Sequence, residues 1–260
     1  MDVKLVNQQK DKVMFVLKGA SPAYANTLRR LIMMETPTMA VKSVTFSTNT
    51  SAMYDEMIAH RLGLVVLKTD LQGYERIEKC KCEGKGCARC SVELSLQAEG
   101  PCTVYAEMLK SKDPKIKPVF PKTIIAKLGK NQSLALEAKA VLGIGKVHVK
   151  HSPGLVYYQG YPKITVDPKA DTSAAVRVCP RKVFKLEGKK AVVDNLMACN
   201  LSMACVDALP DAITVEGSDK DFVMYMESWG QLTPKEMIDQ AMDVMDEKLD
   251  AFAKALKSAK

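Results

Sequence analysis

Histidine is scarce in this chain, with three residues in 260. His60, His148 and His151 fall in no ligand motif and read as packing or hydrogen-bonding residues. There is no D-x-D-x-D triplet, no P-loop and no evident nucleophile with a base, so no catalytic residue is assigned. Aromatic residues make up 6% and are not interleaved with the basic runs, which argues against a platform for stacking single-stranded bases. No run of eighteen apolar residues exists, so no membrane span is expected. The start, Met1-Asp2-Val3-Lys4-Leu5-Val6, lacks the basic opening and long apolar core of a signal peptide. A cytoplasmic protein is expected, with its thiols reduced or metal-bound.

Cysteine is present and concentrated. Four of eight cysteines lie in Cys80-Lys81-Cys82-Glu83-Gly84-Lys85-Gly86-Cys87-Ala88-Arg89-Cys90. The spacing C-x-C-x4-C-x2-C suits one tetrahedral thiolate site. Gly-Lys-Gly lets the backbone fold back between the pairs. Soft sulfur donors in a closed shell select zinc (Zn2+) in a structural role, with free or disulfide-linked thiols as the other reading. The formal charge of +8 fits work beside nucleic acid, a large acidic partner, or a solvated surface carrying loop lysines such as those in 110–117 and 185–190.

Val3–Val6 and Val13–Leu17 predict a hairpin. Ser21-Pro22 predicts a helix start, with Ala25, Leu28, Leu31 and Ile32 at helical spacing, Arg29 and Arg30 on the flanks, and an end near Glu35. Strands are expected at 41–48, 64–67, 91–97, 102–108, 134–138 and 221–228, a short helix at 53–62 and a loop at 110–121. Composition shifts near Asp167, where a segment of small-domain length begins. Thr233-Pro234-Lys235-Glu236 is a capping box. Beyond it Ile238, Met242, Met245, Leu249, Phe252 and Leu256 recur at steps of four and three, a heptad stripe. The stripe serves either the chain's own sheet or a second protein paired with it.

Four segments, in order, carry a resemblance. They are Asn26–Leu31 with Glu35–Ala40, Asp55–Leu64, Leu142–Gly145 through His148 with Ser152-Pro153-Gly154, and Gly230–Pro234 with the heptad helix. Together they resemble the family of the D-type subunits of archaeal DNA-directed RNA polymerase, counterparts of the bacterial α-subunit N-terminal domain and of a eukaryotic assembly subunit. The zinc knuckle lies where eukaryotic counterparts bind zinc. The resemblance implies an α+β fold. Residues 1–45 and 215–260 would form a discontinuous dimerisation domain, 46–165 an inserted mixed α/β domain with the zinc loop, and 166–212 a ferredoxin-like insert. It implies a non-catalytic assembly subunit that pairs with a smaller α-like protein, the L subunit, and then recruits the N, P and large B subunits. The catalytic aspartates would lie in another chain, and the whole polymerase would bind DNA and RNA. Leu28, Arg29, Arg30 and Leu31 with the heptad stripe are the candidate subunit interface.

Some members of the family carry an iron–sulfur cluster in the insert. A bacterial ferredoxin run is C-x2-C-x2-C-x3-C-P, whereas this chain has Cys199-x2-Ser202-x2-Cys205-x3-Leu209-Pro210. Cys179 supplies a third thiol. Three thiolates would suit a three-iron cluster and leave a four-iron one short, so the insert is expected to keep its fold without a cluster. Cys102 reads as a small buried residue. A ferredoxin-like redox protein and a stand-alone zinc protein that grips nucleic acid are the competing readings.

Overall fold

A computed structural model describes residues 1–259. Its strands are β1 (Asp2–Gln8), β2 (Lys12–Lys18), β3 (Pro37–Asn49), β4 (Ser91–Glu99), β5 (Cys102–Tyr105), β6 (Lys110–Ser111), β7 (Ile124–Leu128), β8 (Ser133–Ile144), β9 (Gly154–Val166), β10 (Phe184–Glu187), β11 (Lys190–Val193) and β12 (Ile213–Ser228). Its helices are α1 (Pro22–Arg30), α2 (Asp55–Gly63), α3 (Ser173–Val178), α4 (Ala204–Ala208) and α5 (Pro234–Ser258). The fold is mixed α/β with mostly antiparallel sheets. No described helix is long and apolar enough to cross a membrane.

The chain divides into two compact units. The first comprises Met1–Gln8, Val13–Thr27 and Tyr157–Tyr225. It is built on a four-stranded sheet of order β1-β2-β12-β9. β2 buries Phe15, Val16 and Leu17, while β1 is an edge strand exposed on both faces. The β10–β11 hairpin, α3 and α4 enclose an apolar cluster that includes Ala175, Val183, Phe184, Ile213 and Val215.

The second unit comprises Gln9–Lys12, Leu28–Val156 and Met226–Lys260. Its main sheet has the order β3-β8-β4-β6, with β5 and β7 forming a separate pair. Period-two alternation selects the faces. Val92, Leu94, Leu96 and Ala98 of β4 turn inward with Leu134, Leu136, Ala138 and Ala140 of β8. Ile58 and Leu62 of α2, one turn apart, enter the same core. β8 sits between β3 and β4, from Pro37↔Ile144 to Asn49↔Leu134 on one side and from Ser91↔Val141 to Glu99↔Ser133 on the other.

Three expectations need correction. The run Leu64–Leu67 forms no strand, because only Leu67 makes a bridge, to Pro118. A ladder needs a partner strand, and here the partner is the lysine- and proline-rich loop. Val65 and Leu67 are buried but Leu64 points outward. The segment 102–108 is a strand only to Tyr105, after which Ala106–Met108 winds as a 3-10 turn that buries Ala106. The first helix changes character after Arg30. Leu31–Glu35 is a π-helical turn, with Thr36 N–H donating to Leu31 O at 3.1 Å.

That wide turn lies against Gly145 of the third family-like segment. A Cβ on Gly145 would stand 2.4 Å from the Met33 carbonyl oxygen, while Lys146 N–H donates to Met34 O at 2.9 Å. Gly145→Ala is therefore expected to destabilise this unit by about 1–3 kcal/mol through forced backbone displacement. A urea midpoint unchanged from wild type would show that the turn yields freely.

Candidate functional site

The loop at 80–90 gathers its four cysteines. All four sulfurs lie within 4.8 Å of one another. Cys80 and Cys87 are 3.6 Å apart, Cys82 and Cys90 3.5 Å, and Cys87 and Cys90 3.9 Å. A tetrahedral ion with metal–sulfur bonds of about 2.3 Å requires sulfurs about 3.8 Å apart, so the cluster has the dimensions of a tetrathiolate metal site. Local backbone sets this geometry. Glu83, Gly84 and Gly86 adopt positive φ of 54°, 84° and 80°, and both halves close as turns, with Glu83 N–H on Cys80 O and Cys90 N–H on Cys87 O. Cys90 runs directly into β4, and Ser91 Oγ donates to Cys87 O at 3.2 Å.

The thiols differ in acidity. Backbone N–H groups of Cys87 and then Gly86 aim at the Cys82 sulfur and bring its pKa down to about 6. Burial, with the neighbouring Cys82 second, pushes Cys90 up to about 12. A cation reaching the loop meets one thiolate already formed at neutral pH and gains the others by displacing protons.

α5 starts as its sequence signals. Thr233 Oγ1 accepts from Glu236 N–H, and Glu236 Oε2 accepts from Thr233 N–H at 2.7 Å. The helix buries Pro234, Met237 and Ala241, a stripe offset by one residue from the heptad positions. Ile238, Met242 and Met245 are half-buried. Leu249, Phe252 and Leu256 are 54%, 63% and 54% exposed, and every described residue from Asp246 onward is exposed. The sequence does carry the missed stripe, since Met237, Ala241, Val244 and Lys248 also recur at steps of four and three, but small and charged residues mask it. Lys248 donates to Glu35 Oε1 at 2.9 Å and so ties α5 to the π turn. Of the residues on the first helical segment, Leu28 and Leu31 are buried within the chain, Arg29 is half-buried and Arg30 is exposed.

Among the described residues, no histidine nitrogen bonds a serine, threonine or cysteine side chain. His151 is buried, with Nδ1 2.8 Å from Thr38 O, and Thr38 Oγ1 donates to His151 O at 2.8 Å. Its ring fills the space beside Gly143, where a Cβ would meet Nε2 at 2.5 Å. Burial holds this imidazole below its usual pKa. The Thr38 carbonyl and Glu78 oppose the shift, while Lys150 and His148 add to it. The folded value is thus below the unfolded one, about 6.5. The stability due to neutral His151 is in place above that pH and is lost as pH falls through the folded value. The urea midpoint should fall between pH 7.5 and 5. His151→Gln should make that fall shallower by up to about 1.4 kcal/mol per pH unit. Equal slopes in the two proteins would refute the assignment.

Cys199 and Cys205 belong to the apolar cluster of the first unit, with Cys179 packed against it. Burial raises the Cys205 thiol. Cys102 is half-buried against the core of the second unit.

The geometry defines a class first: an α/β protein with a metal-type thiolate loop on an antiparallel sheet and a long helix reaching past its own core. The model of the family described as RNA polymerase Rpb3/RpoA insert domain matches residues 44–159. The chain is 36% identical over 255 residues to DNA-directed RNA polymerase subunit Rpo3 of Methanosarcina acetivorans, covering 96% of each chain. It is 37% identical over 255 residues to that of Methanosarcina mazei, again covering 96% of each. It is 34% identical over 258 residues to that of Pyrococcus horikoshii, covering 98% of this chain and 97% of the relative. The chain belongs to the Rpo3 family of DNA-directed RNA polymerase subunits.

Proposed function

We propose that this chain is a non-catalytic assembly subunit of a multisubunit DNA-directed RNA polymerase, of the archaeal D type, working in the cytoplasm. It pairs with a smaller α-like protein, the L subunit, and the pair forms the platform for the N, P and large B subunits. Nucleotidyl transfer, and contact with DNA and RNA, belong to the assembled complex. The observation that carries the pairing is the far half of α5. About 14 residues of helix exposed on every side would be marginal in water alone, yet they present Leu249, Phe252 and Leu256 on one stripe. In the paired state that stripe and the half-buried Ile238, Met242 and Met245 form the seam. Arg29 and Arg30 flank it, and Leu28 and Leu31 bed the first helix on the chain's own core.

The dimerisation domain in this reading joins residues 1–45 to 215–260, around the inserted domain 46–165 and a ferredoxin-like insert, 166–212. Cys80, Cys82, Cys87 and Cys90 hold a structural zinc, supported by the sulfur spacing and the soft donor set. Cys179, Cys199 and Cys205 serve the insert as apolar packing rather than as ligands of an iron–sulfur cluster, supported by the burial of Cys199 and Cys205 in the apolar cluster and the packing of Cys179 against it.

Co-expression with an archaeal L subunit, followed by size-exclusion chromatography and metal analysis of one anaerobic peak, tests all three parts. A one-to-one heterodimer with one zinc and no iron is expected. A lone monomer or homodimer overturns the pairing. Iron rising in step with protein overturns the account of the insert.

A further inference from the structure

Lys139 lies on β8, outside the thiolate loop, and its ammonium reaches into that loop. A Cβ built on Gly86 would stand 2.2 Å from Lys139 Nζ and 2.9 Å from its Cε. The lysine therefore occupies the side-chain space that Gly86 leaves empty. Across the sheet Lys139 is the register partner of Glu93 on β4. Glu93 is ion-paired with Lys112, and Lys139 adds a weaker attraction to the same carboxylate, so its ammonium is shared between the sheet and the loop. The loop's other cations are differently placed: Lys81 and Lys85 are exposed, and Arg89 is paired with Glu75 at 3.2 Å.

Four thiolates around a divalent ion carry a net charge of about −2. Two of the four residues, Cys80 and Cys90, are buried, and a partly buried dianion needs a compensating cation nearby. We propose that Lys139 is that cation: a positioning residue in the sheet that stabilises the tetrathiolate metal centre by seating its ammonium on Gly86. This inference rests on the metal reading of the four cysteines. It also gives Gly86 a second reason to be glycine beyond its φ of 80°, since a side chain there would displace the ammonium.

The test is the zinc affinity of the full chain, measured by competition with a chromophoric chelator at low and at high salt. Lys139→Met should weaken zinc binding about tenfold at low salt, the scale of an outer-shell partner of a metal ligand. Lys139→Arg should restore affinity to within about threefold, because it returns the charge on a similar stem. The deficit of Lys139→Met should shrink at about 0.5 M salt, where screening replaces the lost cation. Lys139→Gln serves as a second neutral variant, and melts of the metal-free proteins identify any variant with a damaged sheet. Wild-type affinity in both neutral variants overturns the inference and leaves the metal site standing. A deficit equal at low and high salt, with no rescue by arginine, also overturns it, because that is packing rather than charge. A wild-type chain that takes up no zinc overturns the metal reading and the inference together.

Discussion

Replacing Leu249 and Phe252 together by aspartate is expected to abolish co-purification with a smaller α-like subunit while leaving the monomer folded. Both side chains are more than half exposed in the isolated chain, so their loss removes little from its own core. In a paired seam each would contribute about 1.5–3 kcal/mol on burial, and each carboxylate would face apolar surface without a partner. The combined loss of about 3–6 kcal/mol corresponds to two to four decades in Kd. Glu247→Gln, on the same exposed turn, removes only a surface ion pair with Lys79 at 2.7 Å and should leave pairing unchanged. Unchanged co-purification of the double variant would show that the helix end is not the seam. A lowered melting temperature of the monomer would show that these residues serve the chain itself.

Cys87→Ser is the second large effect. If the four cysteines hold zinc as proposed, the site is closed, and loss of one thiolate leaves a ligand set that no longer matches a structural tetrahedral ion. Zinc content measured on the purified chain should fall from about one per molecule to under a tenth. The apparent binding energy of such sites, about 10–16 kcal/mol in isolated zinc-finger peptides, is largely folding energy of the surrounding loop. Residues 75–90 should become sensitive to proteolysis. The core of the second unit should still unfold cooperatively, because its apolar cluster contains none of the four cysteines. A variant that keeps stoichiometric zinc would remove Cys87 from the ligand set. A variant polymerase that assembles normally but cannot transcribe would contradict a purely structural role for the loop.

Relatives align over nearly the whole chain, yet the residues that fix the geometry are spread unevenly through it. The glycines of the Leu142–Gly145 segment show this. Their presence was legible, but their reason was not. Gly143 makes room for the ring of His151, and Gly145 lies under the Met33 carbonyl. The histidine itself was legible as a packing or hydrogen-bonding residue, without its partner. Its partner, Thr38, is 113 residues away in the chain, and the register Thr38↔Gly143 brings the three together.

The sequence alone determined what depends on near neighbours. The thiolate spacing, the positive-φ turn between the cysteine pairs, the capping box at Thr233 and the alternation of β4 are each set within about ten residues. Backbone sterics and local hydrogen bonds suffice to enforce them. Only the tertiary structure decided what depends on distant partners. It turned the end of the first helix into a π turn, left Leu64–Leu67 without a ladder, and set the buried stripe of α5 one residue away from its heptads. It also seated Lys139 on Gly86, 53 positions earlier in the sequence. These outcomes follow from close packing between segments far apart in the chain, where the shape of one surface selects which face of the other is buried.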